Sequence, residues 1–491
     1  MRQFTLLFLF VNQFLFASFD INQNIINSYS HIINLEFEDA SILLKNELSQ
    51  NPSNGFVQLH YNYIDFLTII ITEDFDYFDS HEEFKKIRLN SINKIDDNSP
   101  YFLYSKAEIH LQWAFSRLKF KQYTKASYEI LKAYNLLKKN KSRFPNFTLN
   151  NKGLGLIHAL IGNMPQDLYW ITNLLGLDAS LFIGHSELNS VLADSSFAIY
   201  KTEVLFLLSF LQINLGKNEI LCQSYLDRIG NDYMKNPLLN FAAARLSHSL
   251  GQNDVTLNIL NNRSENSGSV KFYYLDYLHA MSYLYKLDFK NSRKKLEYFL
   301  INFKGLNYIK SAHHKLAWIS FLQNDIKKTK KNLNNVILYG NAIIDEDRVS
   351  LNDAKNGLNS CNPLLLEARL LYDGGYYTSA LSKLNEIIST NYFKSKINQI
   401  EYWYRLARVK SKLKNSNQLV LSYYKKVLDE GQVSSTYYAP MSALQIGLIY
   451  ELENNYAQAR TYFKICLSMS GFDYERGIHQ KAKAGLFRIS N

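Results

Sequence analysis

Residues 440–463 read PMSALQIGLIYELENNYAQARTYF. Ile446, Gly447 and Tyr450 fall on one face of a first helix, and Ala459 and Phe463, four apart, on one face of a second. Asn454 and Asn455 make the turn between them. Gly447 and Ala459 let the two helices approach closely, and the aromatic rings fill the space beside them. A helical hairpin of this kind cannot bury its apolar face alone, so neighbours of the same kind are expected.

The pattern recurs outward from this stretch. Residues 372–380, YDGGYYTSA, followed by Leu384, repeat the turn-then-Ala order, with a turn that reads one residue shorter. Tyr423, Tyr424, Val427 and Leu428 look like the end of a second helix. Tyr123, Ala126, Ile130 and Ala133 form another, and Phe37, Ala40, Leu44 and Pro52 form the first. Residues 270–300 and 311–338 read as hairpins without the full signature. These residues resemble the tetratricopeptide repeat (TPR) family, whose unit is a helix–turn–helix with an L-G-x-x-Y segment, an Ala, a Phe four residues on and often a closing Pro. The last unit matches at Ile446, Gly447, Tyr450, Ala459 and Phe463, with Gly471 where the Pro would stand, and in the first unit Pro52 is in place. The resemblance implies an all-α solenoid of TPR-like antiparallel helical hairpins, roughly ten to twelve at about 34–40 residues each. It also implies a curved surface suited to a protein or peptide partner.

Composition agrees. In 491 residues there are only 20 Gly and 7 Pro, which excludes collagen-like chains and most turn-dense β-architectures. The 35 Tyr, 31 Phe and 4 Trp supply a large core and exclude wholesale disorder. Lys+Arg minus Asp+Glu is 55 − 44 = +11, but Lys is spread along the whole chain beside abundant Asn, Ile, Tyr and Phe. AT-rich coding explains that excess, and with no basic stripe no nucleic-acid partner is expected. Cys222, Cys361 and Cys466 are too few and too far apart for a disulfide framework or a zinc site.

Met1, Arg2 and Gln3 form a short basic start, and residues 4–16 are almost wholly apolar, broken by Asn12 and Gln13. Ala17 and Ser18 then offer a cleavage point, although Leu15 replaces the usual small residue before it. This is the layout of a signal peptide over residues 1–17, too short to span a bilayer. It predicts export to the periplasm or cell envelope and is compatible with peripheral association with a membrane. No later stretch reaches about 18 uninterrupted apolar residues, so no transmembrane helix is expected in the mature chain. The expected organisation continues with hairpins over 18–150, a central region over 151–350 and a TPR block over 351–491. The central region includes a degenerate, Gly-rich segment at 151–192, where Pro165 suits a helix start and Gly176 a helix end. Acidic clusters at 73–83 and 345–347 read as exposed loops, and 352–362 as a linker.

Chemical motifs are sparse. Gly153 and Gly155 lack the third glycine and the strand of a phosphate loop, so close helix packing is expected. His313 and His314 are adjacent, point to different sides of a helix and make no metal pair. No GxSxG elbow occurs, so neither an enzyme nor a cofactor is expected. Lys327, Lys328, Lys330 and Lys331 read as a solvated helix face that could join Lys294, Lys295 and Lys310 in one basic patch. Tyr273, Tyr274, Tyr277, Tyr283, Tyr285, Tyr402, Trp403 and Tyr404 read as core and inter-repeat packing. In the last unit the family's inner groove falls on Met441, Leu444, Leu448 and Glu451, an apolar peptide face rather than a clamp for a terminal carboxylate. The leading functional expectation is a non-enzymatic TPR scaffold for protein–protein interaction in the bacterial cell envelope. The alternative is a SusD-like glycan- or nutrient-binding protein of the outer membrane, similar in being helical and TPR-containing but bearing a lipoprotein cysteine that is missing here.

Overall fold

The computed structural model describes residues 19–161, 180–216, 218–264, 270–358, 361–390, 393, 395–431 and 436–489. The expected signal peptide and the helix ends assigned to Pro165 and Gly176 lie outside these residues. Among the described residues there are 24 α-helices and no β-strand.

The chain divides into two units. The first comprises Met1–Leu211, Lys235–Leu238 and Ser264–Lys271, and the second comprises Gln212–Met234, Leu239–Arg263 and Phe272–Asn491. The boundaries expected near 150 and 350 are not where the division falls. Helix Tyr123–Arg143 packs on Asn150–Ile161, and Ile326–Leu338 packs on Asp345–Asn356, so packing continues across both positions.

Each unit is a stack of TPR-like hairpins. The first pairs Gln23–Ile33 with Phe37–Gln50, Gly55–Thr72 with Phe75–Ile92, and Pro100–Lys119 with Tyr123–Arg143. Helices Asn150–Ile161, Leu181–Ala193 and Lys201–Leu211 follow. The second unit pairs Tyr274–Tyr285 with Phe289–Asn302, Ile309–Leu322 with Ile326–Leu338, and Pro363–Asp373 with Tyr377–Thr390. Lys396–Lys412 then pairs with Asn417–Gly431, Tyr438–Leu452 with Tyr456–Ser468, and Glu475–Arg488 packs on this last hairpin.

One turn serves nearly every hairpin. Leu35, Lys121, Gly251, Leu287, Asn324, Gly375, Lys414 and Asn454 all have positive φ two residues past the end of a first helix, and Glu73 has it one residue past. At all but Glu73 the next residue's N–H reaches back five residues, as from Asn455 to Tyr450 O (2.8 Å) and from Tyr376 to Leu371 O (2.9 Å). These bonds satisfy carbonyls that a helix end leaves open. At all but Lys414, five residues after the positive-φ position comes a buried residue of the second helix, Ala40, Phe78, Ala126, Thr256, Ser292, Thr329, Ala380 or Ala459; after Lys414 the buried residue is Val420, six on. The turn before Ala380 is therefore not shorter than the one before Ala459. Leu371, not Tyr372, is the counterpart of Tyr450.

The acidic clusters are helical, contrary to the loop reading. Glu73 closes Gly55–Thr72, and Asp74 accepts from Tyr77 N (3.0 Å) to start Phe75–Ile92. Asp345, Glu346 and Asp347 form the first turn of Asp345–Asn356, where negative charge meets the helix N-terminus favourably. Asp347 is fully buried and also caps the neighbouring helix, accepting from Tyr308 N (2.7 Å) and Ser311 N (2.9 Å). The linker reading at 352–362 is corrected likewise, because that helix runs on to Asn356.

Close packing through glycine is as expected at Gly155, where a Cβ would lie 2.7 Å from Gly184 O. In the second unit two turns meet through glycine, since a Cβ on Gly375 would stand 1.9 Å from Gly251 O. That contact, with Tyr376 Oη donating to Asp254 (2.8 Å), joins the hairpins at 237–261 and 363–390 directly. One helical stretch among the described residues, Ser195–Gly216, is long and apolar enough to cross a membrane, and half of it is buried in protein.

Candidate functional site

Closure of the second unit through Gly251 and Gly375 leaves a cavity of about 180 Å³ lined by the first helices of successive hairpins. The lining follows helical spacing. Tyr274, Tyr277, Met281 and Tyr285 come from one helix, and Ser311, His314, Lys315 and Trp318 from the next. Glu346, Ser350 and Asp353 come from Asp345–Asn356, and Arg369 and Asp373 from Pro363–Asp373. Arg245 and His248 complete the wall from Pro237–Ser249.

The charges are mixed and unevenly paired. Arg369 Nε stands 3.8 Å from Asp373, which also meets Arg408 at 3.5 Å. Arg245 and Lys315 join no ion pair among the described residues. Lys315 Nζ instead sits 3.5 Å from the Trp318 ring centroid, and the Arg369 guanidinium sits 5.0 Å from the same ring. These cation–π contacts return part of the cost of desolvation. Burial, and then the Arg369 charge, pull the Lys315 ammonium down to about 7. Burial raises the Asp353 carboxyl. Burial holds His314 well below the usual imidazole value, and burial with Arg245 lowers His248 to about 4, so both rings are neutral at pH 7. Tyr277 Oη shares a hydrogen bond with Ser311 (2.8 Å), and the Tyr274 and Tyr308 rings meet tilted, with centroids 4.6 Å apart. The result is a small chamber of cations, carboxylates, hydroxyls and aromatic edges. It can bind a group carrying both donors and acceptors.

The residues expected to form a peptide groove in the last repeat do not form one. Leu444 is 1% exposed and belongs to the core, because Tyr438–Leu452 turns that face toward Tyr456–Ser468. Met441 and Leu448 pack against the same core, and Glu451 is held by Arg488 at 2.6 and 2.8 Å. Ala40, Ala126, Ala380, Ala459, Gly447 and Phe463 are all buried at hairpin contacts. Tyr450 is half-buried against Tyr462, and Pro52 follows the end of Phe37–Gln50. Tyr277, Tyr402 and Tyr404 are core residues, as their spacing predicts.

The basic patch is not a single surface. Lys327, Lys328, Lys330 and Lys331 are exposed on one helix, while Lys310 is buried and donates to Val336 O (2.6 Å) and Ile337 O (3.2 Å), closing that helix. Lys295 is paired with buried Asp276 (3.2 Å). His313 lies against Tyr339 while His314 lines the cavity, so the two diverge. The sequence reading missed Arg245, Lys315, Arg369 and Asp353. Their one signal was the i, i+3, i+4 recurrence of polar and aromatic residues on first helices. A cluster of His31, Glu36 and Asp39 was also missed, and there the imidazole is already bonded to Glu36 (2.7 Å).

No known family profile matches the chain, and no curated protein matches it. Among solved structures it is similar to a monomeric IFIT1 mutant with Gppp-AAAA (11% identity, TM-score 0.32, covering 92% of this chain and 96% of that one). It is also similar to the APC/C hetero-tetramer Cut9–Hcn1 (10%, TM-score 0.27, 96% and 97%). A third similar structure is the human IFIT1 dimer with m7Gppp-AAAA (13%, TM-score 0.26, 92% and 96%). The fold assignment rests on the chain's own helices, turns and buried repeat positions.

Proposed function

We propose that the protein is a non-enzymatic scaffold of the cell envelope that holds an extended segment of a partner protein in the cavity of its second unit. The observation that carries this reading is the mixed lining. Among the described residues Arg245 and Lys315 join no ion pair, yet Glu346, Asp353 and Asp373 stand among them. A nucleic-acid backbone would meet those carboxylates with repulsion. A peptide offers N–H donors, C=O acceptors and an occasional acidic side chain, which suits the set. Envelope placement is supported by the layout of the first 18 residues. The glycan reading has less support, because the Trp318 ring that would stack on a sugar is covered by Lys315 and Arg369.

The test is selection from a random peptide library, followed by titration calorimetry of the selected peptide and a glycan panel in parallel. The reading expects an acidic peptide whose affinity falls about tenfold or more in Lys315→Ala, the loss of one buried charge contact. A saturable glycan signal with no peptide binding would overturn it.

A further inference from the structure

The first unit holds a second cavity of different chemistry. It measures about 300 Å³, roughly twice the 150 Å³ apolar cavity known to hold one benzene. Its walls come in pairs at helical spacing: Phe66 and Ile70, Leu111 and Phe115, Phe206 and Phe210. At one end this apolar chamber meets Tyr63, Glu108, Lys152 and Glu203.

That polar end is a buried ion cluster with one side incomplete. Lys152 is 2% exposed, and its Nζ donates to Tyr63 Oη (2.7 Å), Glu108 Oε2 (2.8 Å) and Glu203 Oε1 (2.8 Å) and Oε2 (2.9 Å). Tyr29 Oη also donates to Glu203. Glu203 and Glu108 Oε2 are thus well supplied with donors. Glu108 Oε1 is buried and has none. Two carboxylates share one ammonium, and the other cation of the wall, Lys119, is paired with Glu73. Gly153 comes close to that oxygen without contributing a donor, since a Cβ there would lie 3.4 Å from Glu108 Oε1. A buried carboxylate oxygen without a donor is costly, and a ligand that brings a donor recovers that cost. Burial raises the Glu108 carboxyl above its usual range, in keeping with a group short of hydrogen-bond donors.

We infer that this cavity binds an apolar primary amine, with its hydrocarbon body between the paired Phe, Leu and Ile side chains and its ammonium donating to Glu108 Oε1. The cluster carries one more negative than positive group, so it selects against carboxylates of the same length. A neutral alcohol gains the apolar contacts but only a weaker hydrogen bond.

The full chain is titrated calorimetrically with n-decylamine, n-decanol and n-decanoate, each below its aggregation concentration. The amine is expected to bind about tenfold or more tightly than the alcohol, and decanoate most weakly. Glu108→Gln should bring the amine down to the affinity of the alcohol and leave the alcohol unchanged. Leu207→Trp, at a half-buried wall position, should abolish binding of both while the circular dichroism spectrum stays helical. If Glu108→Gln does not fold, the amine-to-alcohol ratio in the native chain and its loss in Leu207→Trp decide the matter. Decanoate binding as tightly as the amine, no binding by any of the three, or amine binding that survives Leu207→Trp would overturn the inference.

Discussion

Replacing Gly447 by Ala places a Cβ 2.6 Å from both Cδ1 and Cε1 of Phe463. Ordinary contact begins near 3.4 Å, so the ring must move by most of an ångström. It has little room, because it is fully buried and because Gly485 approaches it so closely that a Cβ there would lie 2.5 Å from Cζ. Overpacking of this kind costs about 1–3 kcal/mol. Gly447 lies inside a helix, and alanine there returns about 1 kcal/mol of propensity. The net loss for Gly447→Ala is thus up to about 2 kcal/mol, and Gly447→Leu exceeds it. The decisive form is a double-mutant cycle with Phe463→Ala, which alone should cost about 3–5 kcal/mol. Without the ring there is no clash, and Gly447→Ala should become stabilising by about 1 kcal/mol in that background. Urea unfolding followed by circular dichroism gives the global values. Hydrogen exchange in residues 456–468 and 475–488 gives the local ones, since terminal repeats open independently. A Gly447→Ala effect of the same sign and size in both backgrounds would refute the close-approach argument.

Asp347→Ala removes a buried carboxylate that caps a neighbouring helix, and should cost about 1–3 kcal/mol in urea unfolding; a change below about 0.5 kcal/mol would show that the cap is dispensable. Binding of an acidic peptide should weaken about tenfold between pH 6 and pH 8, as Lys315 loses its proton near 7, and Lys315→Met should flatten that profile. The same depressed value has an opposite effect on stability. Between about pH 7 and 10 the unfolded chain holds a proton that the folded one lacks, so the Lys315 contribution grows with pH across that window. Mass spectrometry of the protein recovered from an envelope fraction should show a chain beginning near Ser18, whereas an intact Met1 would contradict cleavage.

The hairpins were legible where small residues announce them. Ala40, Ala126, Ala380, Gly447 and Ala459 are positions where only a small side chain lets helices touch, and periodicity finds such positions. The turns were legible only at Asn454 and at Gly374–Gly375. Leu35, Lys121, Leu287 and Lys414 take the same left-handed conformation with residues that do not prefer it, because the packed hairpin supplies the energy. Acidic clusters misled the reading because first-turn helix residues and loop residues share a composition. Asp347 is a buried cap, and nothing in the string DEDR marks which of its acids turns inward. The cavity was not legible at all. It depends on the hairpins at 237–261 and 363–390 meeting through Gly251 and Gly375, a contact more than a hundred residues apart. The expected groove at Met441, Leu444, Leu448 and Glu451 failed for a related reason. The final helix, Glu475–Arg488, packs on the last hairpin and supplies the arginine that holds Glu451.

Hydrogen exchange of the intact chain, with and without a library-selected peptide, tests the central claim most directly. The account predicts added protection confined to the helices that line the cavity, Pro237–Ser249, Tyr274–Tyr285, Ile309–Leu322, Asp345–Asn356 and Pro363–Asp373. Protection centred instead on Ile326–Leu338 or Tyr438–Leu452, with the cavity helices unchanged, would contradict it.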